Sequence, residues 1–349
     1  NAALGLTLIL GSALPLAAER IVAGLPGSPW NVQFAYFNYG EALGHFAEEG
    51  ITGIDYVSVS GSAVLLPQVA NGQVHFGYAN PDLTVIAASR GEPLPVRFVM
   101  NWLRSQTFEF VVLEDSPLQS LEDLRGGKLG VGALTWGNLP LSRAMLGNLG
   151  IVWNQDVEVL PIGLGAAAWR RLQTGEVDAV NLFVGEHLQM EMAGIPLRRL
   201  SMPDQFRTIF SNGWVVGEGL VAQRPELIEG FGRALTRSWL ACKENPEDCV
   251  RAYWAANPEA APSAGNEAAQ LAIDLQRVMA DVRQIDDFTV GGRGIYGDYP
   301  EDAWERPVAV MLAEGQIENA DFDLGLLFTN AFAEAFNDFE GAPVPAAAE

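Results

Sequence analysis

Short apolar runs alternate with amphipathic stretches from residue 21 onward, a pattern typical of a sheet whose strands are joined by helices. The first set of these units predicts strands at residues 21–24, 54–59, 74–78 and 96–101, and helices at 33–49, 61–70 and 82–89. Because a helix follows each of the first three strands, we expect a wound, mostly parallel sheet.

A second set of units begins after residue 105 and predicts a second, smaller lobe. Its strands are expected at residues 110–113, 128–131, 157–161 and 179–182, and its helices at 121–124, 140–149 and 166–175. The chain is then expected to return to the first lobe near residues 212–217 and to add helices there at 267–281, 301–314 and 324–340. The predicted α/β architecture has a discontinuous lobe 1 (19–105 and 213–340), a lobe 2 (106–212) and a disordered tail (341–349).

Length and composition agree with a two-domain globular protein. The chain has 349 residues, and single cores stop growing at roughly 250 to 300 residues. Hydrophobic residues make up 49% and charged residues 18%, which is a globular composition. The formal net charge of −22 repels a phosphate backbone, so we expect no nucleic-acid partner.

An apolar run at residues 4–18 ends in small residues and resembles the core and cleavage region of a secretory signal, although it lacks a basic start. We interpret residues 1–18 as part of such a signal. The run is shorter than the ~20 residues that a membrane helix needs, and no cysteine lies near it to carry a lipid anchor. We therefore expect an exported, soluble, periplasmic protein without direct membrane insertion.

The chain contains two cysteines, Cys242 and Cys249, with Pro246 between them. In an exported protein this spacing predicts a local disulfide across a helix-to-helix turn. A metal site is the alternative, but it would need more ligands, and the sequence offers no nearby histidine. We expect a disulfide and no metal.

Polar residues follow the predicted strands at several turns, where open parallel sheets bind ligands. Ser60 and Ser62 lie just before an apolar helix and offer hydroxyl groups to an anionic or carbonyl oxygen. Asn80 lies in an equivalent turn. Ordinary helix capping explains the same three residues, and the sequence leaves both interpretations open.

Large aromatic residues also occur at predicted turn positions, namely Trp30, Tyr36, Trp102 and Trp136. Clefts that bind planar ligands use such rings for stacking, so we predict that these four residues contact the ligand. The alternative is that some of them close the hinge or plug the edge of a lobe.

Glu186 follows an apolar strand directly, where its carboxylate could accept two hydrogen bonds from an amino-bearing heterocycle. A first-turn carboxylate that favours the helix dipole is the alternative role. Asn181 is a candidate for the same pocket. The sequence contains no G-x-S-x-G, H-E-x-x-H, P-loop or C-x-x-C motif, so we expect neither an enzyme nor a bound cofactor.

Several phrases of the chain resemble the binding proteins of nitrate, sulfonate and taurine importers, especially the NMT1/THI5-like group that is similar to binders of thiamine pyrimidine precursors. The resemblance runs from about residue 20 to residue 335. It rests on the Trp30-Asn31 turn and on the phrases HFAEEGI, GSAVLLPQVANGQVHFGYANPD, LEDLRGGKLGV, LQTGEVDAVNLFVGEH and DAWERPVAVMLAEGQI.

The resemblance implies a type II periplasmic binding protein, whose two α/β lobes close around one small molecule. Such a protein delivers its ligand to an ABC permease and its ATPase, and we expect it to act as a monomer. In the pyrimidine-binding members a Trp stacks on the ring and a Glu binds its amino group, and Trp30 and Glu186 fall at the matching places. Asn31 joins them as a candidate. Alternatives are a sulfonate, taurine-like or aromatic-acid ligand, a pyrimidine-biosynthesis enzyme, and a sensory module of a membrane receptor.

Overall fold

The computed structural model describes residues 19–26 and 31–342. The predicted signal segment, Trp30 and most of the predicted tail lie outside the described residues. Among the described helices, none combines the length and the apolar character that crossing a bilayer requires.

Two five-stranded mixed sheets organise the chain, with strand orders β2-β1-β3-β10-β4 in sheet A and β7-β6-β8-β5-β9 in sheet B. The strands are β1 Glu19–Pro26, β2 Ile51–Val59, β3 Phe76–Ala79, β4 Val96–Asn101, β5 Phe108–Leu113, β6 Lys128–Val131, β7 Glu158–Pro161, β8 Ala179–Phe183, β9 Leu197–Arg199 and β10 Gly213–Gly217. We call sheet A with its helices lobe 1, and sheet B with its helices lobe 2. The predicted two-lobed α/β fold is confirmed.

Each sheet contains one strand that runs against its neighbours. In sheet A this strand is β10, which pairs antiparallel with β3 and β4, and in sheet B it is β5, which pairs antiparallel with β8 and β9. Both are the first strand after the chain crosses from the other lobe. Parallel pairing of the remaining neighbours places their carboxyl ends at one edge of each sheet.

The helices cover both faces of the sheets and bury the apolar side chains that alternate along the strands. The longest is α10, whose buried Leu227, Phe231, Leu235 and Trp239 recur every four residues along one face. The helices are α1 Ala35–Leu43, α2 His45–Glu48, α3 Ser62–Ala70, α4 Asp82–Ser89, α5 Leu139–Asn148, α6 Ala166–Gln173, α7 Val184–Met192, α8 Asp204–Arg207, α9 Glu218–Gln223, α10 Pro225–Glu244, α11 Pro246–Ala256, α12 Glu267–Val278, α13 Val282–Ile285 and α14 Glu305–Ala313.

The two segments that cross between the lobes pair with each other. Leu103 N donates to Asn212 O at 2.8 Å, and Ser211 N donates to Leu103 O at 2.8 Å. We call these paired crossings the hinge. The predicted boundaries at residues 105 and 213 fall within or just beyond it and stay a prediction.

The prediction of a helix over residues 324–340 is wrong. This segment contains two short 3-10 turns, and its backbone pairs with β4 instead, where Phe98 N donates to Leu327 O and Thr329 N donates to Phe98 O, both at 2.9 Å. The side chain of Asn330 also accepts from Tyr299 N and donates to Tyr299 O. Hydrogen bonds to distant residues thus replace the helical ones that the apolar spacing suggested.

The predicted disulfide is confirmed and joins Cys242, near the end of α10, to Cys249 in α11. Replacing both cysteines by alanine is expected to lower the free energy of unfolding by about 2 kcal/mol, because the bridge closes only a short loop. Urea denaturation with and without dithiothreitol measures the effect. Reductant should destabilise the wild type and leave the double variant unchanged, and equal stability of the two oxidised proteins would contradict the estimate.

Candidate ligand-binding site

A cavity of about 590 Å³ lies where the strand-to-helix turns of the two sheets meet. Its walls come from the turns after β1, β2 and β3 in lobe 1 and after β6, β7 and β8 in lobe 2. All six turns follow the carboxyl ends of strands, which is where open parallel sheets bind ligands. Each lobe therefore contributes one wall of the cavity.

Six predicted site residues line this cavity, namely Asn31, Ser60, Ser62, Asn80, Trp136 and Glu186. Tyr36, Trp102 and Asn181 do not. Tyr36 and Trp102 are each 2% exposed in the core of lobe 1, with ring centroids 5.5 Å apart. Asn181 is fully buried on β8, directly behind a lining residue, Asn138.

Aromatic rings occupy both walls. On lobe 2 the indole of Trp136 contacts the rings of Phe108 and Phe183, at centroid distances of 5.7 and 6.2 Å. On lobe 1 the rings of Phe34 and Tyr78 meet edge to face at 5.7 Å. None of these four aromatic residues was predicted as a site residue from the sequence, although Phe108 begins β5 and Phe183 ends β8 at the cavity wall.

A glycine allows Trp136 to lie close against its own turn. A Cβ at Gly132 would lie 1.9 Å from Cζ2 of the indole, so any other residue there would displace the ring. Gly132 thus sets the position of the largest aromatic side chain among the described lining residues.

Glu186 is 4% exposed and lies in the first turn of α7. Its Oε1 accepts hydrogen bonds from Gly165 N and from Trp169 Nε1, both at 2.6 Å. Gly165 precedes α6, so this carboxylate serves the starts of two helices. Glu186 thus supports helix ends and also lines the cavity, and its predicted contact with a ligand stays a prediction.

The described cavity wall has more acidic than basic side chains. Glu186 and Asp281 are acidic, and Arg277 is the one cation among the described lining residues. Arg277 is partly engaged, because its guanidinium donates to Asp274 Oδ1 at 3.3 Å and to Asn31 Oδ1 at 3.4 Å, while its Nε has no hydrogen-bond partner among the described residues. Because carboxyl groups outnumber the cation, the described wall favours a ligand that brings hydrogen-bond donors over an anion.

Direct hydrogen bonds join the lobes beside the cavity. Thr135 Oγ1 donates to Ser60 O at 2.8 Å, and Ala63 N donates to Thr135 O at 3.2 Å. Leu141 N, in the first turn of α5, donates to Asp82 Oδ2 at 2.9 Å. Burial raises the pKa of Asp82 to about 7. The structure thus has the two lobes in contact, as expected for a closed form.

Asp281 is a buried carboxyl in the cavity wall, and burial raises its pKa from 3.8 to about 6. Gln33 Nε2 and Thr107 Oγ1 donate to it. Burial disfavours the ionised form of Asp281 in the folded protein, so ionisation of this carboxyl lowers the stability of the fold. The loss of stability is absent below pH 3.8, grows between pH 3.8 and 6, and is complete above pH 6.

The Asp281→Asn variant is therefore expected to be more stable than the wild type at pH 8, by up to about 3 kcal/mol, and to lose that advantage at pH 4. The carboxamide keeps an acceptor for Gln33 and removes the charge. Thermal unfolding of both proteins between pH 4 and 8 measures the difference. A difference that does not change with pH would contradict the assignment to this carboxyl.

Known proteins resemble this chain in sequence and in fold. The riboflavin-binding protein RibY of Chloroflexus aurantiacus is 26% identical over 304 residues, which cover 86% of this chain and 83% of the relative. A sulfonate-binding SsuA structure from Methylobacillus flagellatus has a TM-score of 0.58 and 18% identity, covering 95% of this chain and 98% of that one. The desulfurization enzyme DszB has a TM-score of 0.55 and 17% identity, covering 91% and 98%. The two structural likenesses concern the fold, which binding proteins and an enzyme share.

The profile of the NMT1/THI5 like proteins matches residues 31–249, which is more than half of the chain. The matched region contains every described strand except β1 and includes all six predicted residues that line the cavity. Together with the fold, this match supports a substrate-binding role of the kind that serves ABC importers, with a small molecule as the ligand. The chain belongs to the NMT1/THI5 like family.

Proposed function

We propose that this protein is the extracytoplasmic substrate-binding subunit of an ABC importer and that it captures a planar N-heterocycle between its lobes. The ligand contacts both lobes at once, so it stabilises the closed form and is released when the hinge opens. The closed protein then presents its ligand to a membrane permease coupled to an ATPase. No bond of the ligand is made or broken.

The observation that carries this proposal is the pair of facing aromatic walls. Trp136, Phe108 and Phe183 stand on lobe 2, and Phe34 and Tyr78 stand on lobe 1. A flat ring held between them gains offset stacking or edge contacts in addition to the burial of apolar surface. Glu186 and Asp281 add acceptors for the N–H groups that such heterocycles carry.

The size of the cavity favours a ligand larger than a single pyrimidine ring. A volume of about 590 Å³ falls within the range of pockets that enclose drug-sized ligands, roughly 300 to 1,000 Å³. A fused, three-ring heterocycle such as a flavin uses both aromatic walls, whereas a lone aminopyrimidine leaves much of the space to water. The relative RibY is named as a riboflavin-binding protein, which supports the same class.

A sulfonate, taurine-like or aromatic-acid ligand is the second candidate, because the fold also occurs in a sulfonate-binding structure. Such an anion is bound best by a wall whose net charge is positive. Arg277 pairs with Asp274, and two carboxyl groups share the wall with it. The charge of the cavity therefore favours the heterocycle.

Isothermal titration calorimetry against riboflavin, 2-aminopyrimidine, taurine and benzoate tests the proposal, with mass spectrometry of the recovered compounds to detect any turnover. We expect riboflavin to bind most tightly and to be recovered unchanged. The Trp136→Ala variant should bind it about 10-fold more weakly, since a stacking partner and buried area are lost.

Trp153→Ala is the matched control, because Trp153 lies on the same lobe but outside the cavity wall. Its affinity should stay within about twofold of the wild type. Binding of taurine or benzoate in preference to both heterocycles, or chemical conversion of any compound, would overturn the proposed function.

A further inference from the structure

Two asparagines in the cavity wall each carry one buried polar atom that has no hydrogen-bond partner in residues 19–26 and 31–342. These atoms are Nδ2 of Asn80, on lobe 1, and Oδ1 of Asn138, on lobe 2. Both residues are 1% exposed. Buried polar groups are nearly always paired in native proteins, so two unpaired amide atoms in one cavity wall indicate that a ligand completes them.

Backbone geometry fixes which atom of Asn80 is unpaired. The side chain receives a hydrogen bond from Asp82 N at 3.1 Å, and a backbone N–H can only donate. The oxygen of Asn80 must therefore face Asp82, which leaves the amino group as the free donor.

The orientation of Asn138 follows from Asn181, the buried residue behind it. Asn181 donates through Nδ2 to the carbonyl oxygen of Glu109 at 3.2 Å, and a carbonyl can only accept. Oδ1 of Asn181 therefore faces forward, where it accepts from Ser142 Oγ at 2.8 Å and from Asn138 Nδ2 at 3.3 Å. With its amino group engaged, Asn138 has its oxygen left as the free acceptor.

The two asparagines lie on turns that touch each other. A Cβ added to Gly137, the neighbour of Asn138, would lie 3.0 Å from Cβ of Asn80 and 2.5 Å from Oγ of Ser62. Only a glycine allows the turn after β6 to approach the turn after β3 so closely. One free donor and one free acceptor are therefore carried by adjoining turns that belong to different lobes.

We propose that Asn80 and Asn138 together recognise one edge of the ligand on which a hydrogen-bond acceptor lies beside a donor. Asn80 donates to the acceptor, and Asn138 accepts from the donor. Such an edge is a ring carbonyl or ring nitrogen next to an N–H group, as in a cyclic imide, a lactam or a 2-aminopyrimidine. Because each asparagine belongs to a different lobe, this edge is fully bonded only when the lobes are closed. The inference rests on the proposed function and specifies which part of the heterocycle the site recognises.

Asn181 gains a role from the same geometry. It is a positioning residue, since it sets the orientation of Asn138 without lining the cavity. This role would account for a fully buried amide on the central part of sheet B, where an apolar side chain would otherwise pack.

The test compares riboflavin with its N3-methyl derivative, in which a methyl group replaces the donor of the imide edge and the ring system is unchanged. A parallel arm compares 2-aminopyrimidine with 2-(dimethylamino)pyrimidine. Methylation of the parent that binds should weaken binding to the wild type by about 10- to 100-fold, because it removes a hydrogen bond and leaves Asn138 unpaired. Whichever of riboflavin and 2-aminopyrimidine binds more tightly is the heterocycle whose donor–acceptor edge the site recognises.

Variants assign the effect to Asn138. In Asn138→Leu the parent should bind more weakly, and the methyl derivative should bind about as well as the parent, since the acceptor is absent. Asn212→Leu is the matched control, because Asn212 also lines the cavity but has no unpaired buried atom. The penalty of methylation should persist in that control.

The outcomes separate the two proposals. If a parent heterocycle binds the wild type and its methylated form binds equally well, the edge inference is overturned while the proposed function stands. If neither parent binds, both are overturned. The wild-type comparison needs no variant, so poor folding of Asn138→Leu would not remove the test.

Discussion

The Gly61→Ala variant is expected to fold and to bind the ligand about 100-fold more weakly than the wild type. Gly61 has a φ of +149°, and a Cβ at this position would lie 2.4 Å from the backbone oxygen of Thr135 on lobe 2. Neither atom can rotate away, so the turn after β2 and the turn after β6 must separate. If closure costs about 3 kcal/mol more, the population of the closed form falls about 100-fold. The apparent affinity for the ligand falls by the same factor.

Calorimetry with riboflavin, or with whichever compound of the panel binds the wild type, measures the loss. Gly72→Ala is the matched control, because Gly72 also has a positive φ, of +71°, but a Cβ there has no atom within 4 Å. Both variants should lose some stability to backbone strain, and only Gly61→Ala should lose binding. Small-angle scattering should show that ligand compacts the wild type and not this variant. An affinity within threefold of the control would contradict closure through this contact.

Much of the fold follows from local patterns that a single sequence displays. The strands Val96–Asn101 and Lys128–Val131 and the helix Asp82–Ser89 have the predicted bounds, because continuous apolar or amphipathic runs end there at turn-forming residues. Strand β9 was missed. Its three residues, Leu197–Arg199, form an edge strand too short to show a period.

The long predicted helix at 33–49 shows how one residue changes an element. The segment is helical on both sides of Gly44, which has a φ of +82° and separates α1 from α2. A glycine inside a helical pattern can be tolerated or can end the helix, and only the packing of α2 against α10 decides between these outcomes.

The turns of the site were predictable, but the directions of their side chains were not. Trp102 directly follows β4 at the cavity edge, yet pairing of Leu103 with Asn212 turns the crossing segment so that the indole packs against Tyr36 and Trp239. Phe34 and Tyr78 look like core residues in the sequence and line the cavity. Which side of a turn an aromatic ring occupies depends on contacts between distant segments, and these are absent from a local pattern.

Arg104 provides the other large effect that we expect. It lies in the crossing segment, is 1% exposed, and donates to the backbone oxygens of Gly291, Ile295 and Asp298 at 2.7, 3.3 and 3.1 Å. Its guanidinium also lies 4.6 Å from the ring centroid of Phe288. Burial lowers the pKa of Arg104, and Asp298 opposes that effect. One side chain thus joins the hinge to the loop at 287–298.

Replacing Arg104 by methionine is expected to lower the free energy of unfolding by about 3 to 5 kcal/mol, because several buried carbonyl groups lose their donor at once. Arg104→Lys should recover only part of this loss, since a single ammonium cannot reach carbonyls that a planar guanidinium spans. Urea denaturation measures both, with Arg143→Met as the control, because Arg143 is exposed on α5 and should change stability by less than about 0.5 kcal/mol. A stability of Arg104→Met equal to that of the control would contradict this prediction. The loop would then be held by its own contacts, such as the hydrogen bond from Arg293 N to Asp298, and the hinge would not depend on Arg104.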